Sequence, residues 1–373
     1  MSYEEYEGFF CDLDNGRERC RGIKRALNEA SEKQDVEAVL YLYYLFIEED
    51  TFYSDGFESF LIFPEYLKYF EAHPEFNDEY KYNVMWCFKW IAGSAEEFWQ
   101  ISLGQLFELY KQYGEYCDKL NYNKRSYYRK LWNLMDSFGL RSCPFCANVE
   151  QAHRLMMHCP IDELSEVKAG EADDLTSYYL YVEKDLDKAY KAAEQIFSGR
   201  VACNVVPHYT YVNFADYYFE HKDIEKAVKN IRMAVHLFNR DFPAPGSMMK
   251  YKGKCISILS FYDVSSALKL FRRHLYGECT NGVDNYYFYR GAYHLFLNLE
   301  KTGQKTVRLI LPFRDDPVYK KSNVYQVSKM KEYFYEKAKF FADKFDERDG
   351  NEKFSYYLNK SYKFEIPQDE EEH

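Results

Sequence analysis

The residues best suited to chemistry in this chain are Cys143-Pro144-Phe145-Cys146. His153, His158 and Cys159 follow closely, and Cys203 and His208 come some sixty residues later. Two thiolates at C-x-x-C spacing can grip one tetrahedral Zn²⁺, and two further nitrogen or sulfur ligands would close the site. The ligand supply is sufficient, but no second C-x-x-C selects the other two. On a helix beginning near Asn148, His153 and His158 would stand five residues and about 140° apart around the axis, poorly placed for joint ligation. A redox dithiol of the thioredoxin kind sits between a strand and a helix, and no βαβ pattern surrounds this one. The least demanding reading is a packed turn whose thiols act as small apolar side chains. Structure is favoured over chemistry: no cofactor is required, and a structural zinc is the competing use of the pair.

Other catalytic patterns are missing. The phosphate loops G-x-x-x-x-G-K and G-x-G-x-x-G, the G-x-S-x-G elbow and H-E-x-x-H do not occur. The nine His are scattered, and acidic pairs such as Glu4-Glu5 and Glu96-Glu97 read as solvated helix faces. The chain is expected not to be an enzyme.

Whatever these side chains do, helices must hold them. Ile23, Ala26, Leu27 and Ala30 recur at spacings of three and four, which puts them on one face, with Lys24, Arg25, Asn28 and Glu29 on the other. Residues 36–48, 80–91, 103–120 and 126–138 repeat that period. The ten prolines fall mostly at breaks, Phe242-Pro243-Ala244-Pro245-Gly246 reads as a loop, and no succession of short alternating segments exists to build a sandwich or barrel. The fold class is therefore all-α. With 47% hydrophobic and 19% aromatic residues there is material for an extensive core, which excludes a disordered chain.

An internal repeat organises the second half. Asp185-Leu186-Asp187-Lys188-Ala189 recurs as Asp223-Ile224-Glu225-Lys226-Ala227 and loosely as Asp263-Val264-Ser265-Ser266-Ala267, so the leading Asp returns at nearly even steps. Each copy lies between two helical patterns. The Asp can cap the second helix of a hairpin by accepting from its free N–H groups, and the small Ala four positions on lets two helices approach closely. One hairpin cannot bury its own apolar face, so repeats of this length imply stacking.

These residues resemble the tetratricopeptide-repeat (TPR) family, whose helix-turn-helix unit has an acidic turn and a pivotal Ala in its second helix. The resemblance covers roughly residues 172–275; the family's Trp-x-x-Leu-Gly start is absent. It implies a right-handed α-solenoid of stacked antiparallel helical hairpins. The organisation expected is a helical-hairpin region over residues 1–141, a TPR-like repeat region over 142–345, and a C-terminal segment with an acidic tail over 346–373. The C-x-x-C pair, a helical hairpin, and then Gly199-x-x-x-Cys203-x-x-Val206-Pro207-His208-x-Thr210-Tyr211 are together similar to a set of poorly characterised bacterial TPR proteins, some of them encoded near polymorphic toxins. In that resemblance Cys143, Cys146, Cys203 and His208 are the matching metal candidates, and an immunity-type role is implied.

The function expected is a non-catalytic protein–protein interaction scaffold that neutralises a partner through its concave face. Rigid, amphipathic tyrosines suit such a face, and Tyr209, Tyr211, Tyr217, Tyr287 and Tyr289 are the candidates to line it. The net charge of −11 would steer a basic protein or peptide towards the chain. The alternative is a peptide-binding signal receptor or regulator of the TPR class. Direct DNA binding is not expected, because the opening segment, positions 1–65, is acidic and aromatic and offers no basic recognition helix. The longest apolar stretch, Val39 to Ile47, is too short to cross a bilayer. The acidic N-terminus is unlike a signal peptide, and ten Cys in 373 residues fit a reduced cytoplasm.

Overall fold

The computed structural model describes residues 10, 13–54, 56–242, 248–275, 281–312 and 314–364. The expected loop at Pro243-Pro245 and the acidic tail lie outside the described residues. The chain is mostly helical and divides into two units, Met1–Ser165 and Glu166–His373.

The first unit contains α1 (Arg17–Glu32), α2 (Val36–Tyr53), α3 (Phe57–Ala72), α4 (Asn77–Ala95), α5 (Leu103–Lys119), α6 (Arg125–Phe138) and α7 (Val149–His158). Aromatic rings tie four of these helices into one core. Phe63 of α3 meets Phe88 of α4 edge-on at 4.6 Å, Phe88 stacks on Tyr113 of α5 at 5.3 Å, and Tyr113 meets Tyr127 of α6 at 5.7 Å. The first unit runs to Ser165, and hydrogen bonds hold its last stretch to the helices before it. Arg125 Nη1 on α6 donates to the carbonyls of Met156 at 3.1 Å and Cys159 at 2.8 Å, and Lys89 Nζ on α4 donates to the Leu164 carbonyl at 2.9 Å. Residues 142–165 are thereby bound to the first unit.

The second unit contains α8 (Lys168–Tyr178), which continues as a π-helical turn over Tyr179–Glu183, then α9 (Leu186–Phe197), α10 (His208–Glu220), α11 (Ile224–Asp241), α12 (Met249–Ser260), α13 (Val264–His274) and α14 (Gly282–Lys301). Strands β1 (Thr306–Arg308) and β2 (Val324–Gln326) follow, then α15 (Val327–Asp349) and α16 (Lys353–Asn359). The antiparallel ribbon sets Val307 opposite Tyr325, both buried, with exposed neighbours on either side. It is the one departure from all-α among the described residues. At three residues per strand it is too short to show an alternating pattern in the sequence.

The repeated Asp caps its helix in all three copies. Asp185, Asp223 and Asp263 accept from the amides of Lys188, Lys226 and Ser266 at 3.0, 3.1 and 2.9 Å, and Ala189, Ala227 and Ala267 are fully buried. The turn also recurs in the first unit, where Asp35 accepts from Ala38 at 3.2 Å. In three of the four, the residue before the cap is left-handed: Gln34, Lys184 and Lys222. Replacing Asp223 by Ala is expected to cost about 1 kcal/mol in urea denaturation, whereas Asn, an equally good cap, should preserve most of it.

The first helices of successive hairpins meet through polar pairs at a nearly constant offset. Thr210 donates to Asp173 at 2.6 Å and Asn213 to Ser177 at 2.9 Å, joining α10 to α8. Lys254 pairs with Asp216, joining α12 to α10. Ser257 Oγ lies 2.6 Å from His294 Nδ1, and Asn298 donates to Ser260 at 3.1 Å, joining α14 to α12. The partners are 36 to 38 residues apart. Position rises together along both members of the α8–α10 and α12–α14 pairs, so these first helices run parallel.

Candidate functional site

Two of the five expected tyrosines converge on α12. Tyr209 stacks on Tyr251 at 3.9 Å and donates to Met248 Sδ at 3.2 Å. Lys250 Nζ lies 5.7 Å over the Tyr251 ring and 6.0 Å over Tyr287, and Lys254 Nζ lies 5.1 Å over Tyr287. A continuous run of ring and ammonium contacts thus links α10, α12 and α14. Tyr217 stacks on His221 of its own chain segment at 4.1 Å. Tyr211 and Tyr289 point elsewhere: Tyr211 packs on Phe197 of α9 at 5.0 Å, and Tyr289 on Phe334 and Phe341 of α15, each at 6.1 Å. Two residues along a helix rotate a side chain by about 200°, so Tyr209 and Tyr211 cannot share a face, and neither can Tyr287 and Tyr289.

Beside Tyr287 lies a charged centre that sequence reasoning missed. Arg290 on α14 is 6% exposed; its Nη2 donates to Tyr362 Oη at 3.0 Å and its guanidinium faces the Tyr357 ring. Tyr362 Oη donates to Glu220 of α10 at 2.7 Å, and Lys360 pairs with the same carboxylate. Tyr362 and Phe364 belong to the irregular segment after α16 and rest on Phe219 and Phe261, at 4.5 to 5.7 Å. The available signal was periodicity: Asp216 and Glu220, like Lys250 and Lys254, recur at i, i+4 on helices one repeat apart.

The electrostatics of this centre follow from crowding. Burial would push the Tyr287 phenol up, but the ammonium groups of Lys254, Lys250 and Lys353 outweigh it and hold it below the ordinary tyrosine value. Burial pulls Lys254 down, and Asp216 and Tyr287 more than restore it. Burial drives His294 well below the ordinary histidine value, with the charges of Arg290 and Lys301 adding to the effect.

The C-x-x-C pair forms a tight turn. The Cys143 amide donates to the Cys146 carbonyl at 3.0 Å across an antiparallel bridge. A hydrogen bond from the Cys146 thiol lowers Cys143 to about 6 against the effect of burial, with the Phe145 and Cys146 amides adding to the shift, while Cys146 is pushed up. The turn brings these two sulfurs together, and both lie in the first unit; Cys203 and His208 lie in the second. Cys203 forms the same kind of bridge with Val206. His208 is 2% exposed, with Nε2 2.8 Å from Asp241 Oδ2; burial lowers its pKa, partly offset by that carboxylate. His153 is buried against Trp132, while His158 is exposed with Nδ1 2.7 Å from the Arg154 carbonyl. Among the described residues, no group of three or more His, Cys, Asp or Glu is arranged to hold a metal ion. None of the described helices is long and apolar enough to cross a membrane.

No protein-family model, curated protein or solved structure matches the chain.

Proposed function

We propose that this protein is a non-catalytic protein–protein interaction scaffold, a TPR-like right-handed α-solenoid in its second unit, acting in the cytoplasm as an immunity-type binder of a protein partner. The observation that carries the reading is the run from Tyr209 through Tyr251 and Lys250 to Tyr287, which spreads aromatic and cationic groups over three first helices. Stacked tyrosines with ammonium groups between them offer a large, rigid contact area with little side-chain entropy to lose. The polar groups at this face are engaged with one another, Lys254 with Asp216 of a neighbouring helix and Arg290 with Tyr362 of the segment after α16. That pairing supports a structural and recognition role over catalysis. The overall charge of −11 still favours a basic partner at long range, while the lysines around Tyr287 would seat an acidic group of that partner locally.

The peptide-receptor reading has its own support. Residues 360–364 form no helix or strand, and Lys360, Tyr362 and Phe364 among them engage Glu220, Phe219 and Phe261, the way side chains of a short bound peptide would.

The test is affinity purification of the tagged full chain with mass spectrometry, repeated with Lys250→Ala/Tyr287→Ala and with a control at the exposed Tyr356. A single stoichiometric protein that binds the double variant about tenfold or more weakly, and the Tyr356→Ser control normally, is the expected result. Capture of a small peptide alone would favour the receptor. A partner indifferent to both variants would remove this face from the function.

A further inference from the structure

The two cysteine turns of this chain share one backbone plan, and the buried fourth position that closes it is Cys146 in the first and Val206 in the second. Each follows a left-handed glycine four residues before its first cysteine, Gly139 before Cys143 and Gly199 before Cys203. Each closes an antiparallel bridge over two residues, Cys143 with Cys146 and Cys203 with Val206. The fourth residue is buried in both, Cys146 at 4% and Val206 at 2% exposure, while the first is half-exposed in both. A valine therefore satisfies the fold at this position, and packing alone does not call for a second thiol in the first turn. What Cys146 adds is a sulfur beside a partly solvent-facing one. Residues directly opposed on an antiparallel bridge sit about 4.5–5.5 Å apart at Cα, inside the roughly 4.4–6.8 Å that a disulfide spans.

We propose that Cys143 and Cys146 form a reversible dithiol–disulfide site, with Cys143 as the attacking sulfur, Cys146 as the resolving one, and the disulfide of a low-molecular-weight thiol as oxidant. The Cys143 thiolate attacks one sulfur of that disulfide and expels a thiolate, leaving a mixed disulfide on Cys143. Cys146 then gives up its proton to solvent, attacks the Cys143 sulfur and expels the second thiolate. Two protein thiols become one disulfide, and the oxidant is reduced to two thiols. The geometry assigns the order: Cys143 is the more exposed residue of the pair and Cys146 is buried.

The full-length protein, incubated with oxidised glutathione, alkylated and mapped by mass spectrometry, should lose two hydrogens on the peptide carrying Cys143 and Cys146, and dithiothreitol should reverse the change. Cys146→Val puts the second turn's buried fourth residue into the first and should leave the far-ultraviolet circular dichroism unchanged. In that variant Cys143 should stop at a stable glutathione adduct, because the resolving thiol is gone. The proposal is overturned if both thiols remain fully alkylatable after oxidation. It is equally overturned if Cys203 collects the adduct as readily as Cys143, or if about one zinc per chain co-purifies and shields the pair.

Discussion

Gly253→Ala should destabilise the second unit by about 3 kcal/mol, the upper end of what overpacking costs. α12 and α14 cross with backbone against backbone. A Cβ on Gly253 would overlap the Tyr287 carbonyl and come within 2.7 Å of the Phe288 nitrogen, and a Cβ on Gly291 would overlap the Gly253 carbonyl. Neither obstacle is a flexible side chain, so the helices must separate. Separation would loosen the Ser257–His294 and Ser260–Asn298 bonds on the same interface. Gly291→Ala should cost a similar amount, and the double variant less than the sum, because both insert into one gap. Gly104→Ala is the control: its Cβ would meet only Ser102 Oγ, at 3.9 Å, and alanine there should stabilise α5 by up to about 1 kcal/mol. Urea midpoints of the four variants check the argument. A Gly253→Ala protein that unfolds at the wild-type midpoint would show that the crossing can relax.

The hairpin turns were legible in the sequence because their physics is local. An Asp that caps the amide three residues on needs only its own neighbours, and Asp185, Asp223 and Asp263 all do so. The pairing of first helices was not read, although the repeat length already contained it: the step from Asp185 to Asp223 is also the step from Asp216 to Lys254 and from Gly253 to Gly291. Applying the repeat offset to polar and glycine positions, rather than to the Asp–Ala signature alone, would have brought these residues together.

Tyrosine serves the core as well as the proposed face. Its abundance suggested a binding surface, yet Tyr66, Tyr80, Tyr110, Tyr113 and Tyr286 are among the largest fully buried side chains. Buried Tyr is tolerated where its hydroxyl finds a backbone carbonyl, as Tyr110 does at Lys130, 3.1 Å away, and Tyr286 at Phe354, 2.8 Å away. Helix phase separates the remaining candidates, and phase was readable: Tyr209 and Tyr211 differ by two positions, so only one could join the face carrying Asp216. The role of the C-terminal segment could not be read, because Tyr362 meets Glu220 across 142 residues with no periodic relation between them.

Acidification from pH 7.5 to 5.5 should cost the wild type about 1.4 kcal/mol more than His294→Gln. His294 is 1% exposed on α14, with Ser257 of α12 at its Nδ1 and the rings of Phe261 and Tyr362 against it. Arg290 and Lys301 of its own helix are the charges it feels. Protonation in the fold would bury a second cation beside Arg290, so the imidazole stays neutral well below its ordinary value. The unfolded chain, whose histidine titrates near 6.5, then takes the proton first. Stability from this group is complete above about pH 6.5 and is lost as the pH falls towards the depressed folded value. His208 is lowered in the same direction by burial, but it is present in both proteins and cancels in the comparison. Urea denaturation at the two pH values measures the difference. Equal pH dependence in wild type and His294→Gln would mean that His294 takes up its proton in the fold as readily as in the unfolded chain, and that the Arg290–His294–Tyr362 centre is open to water.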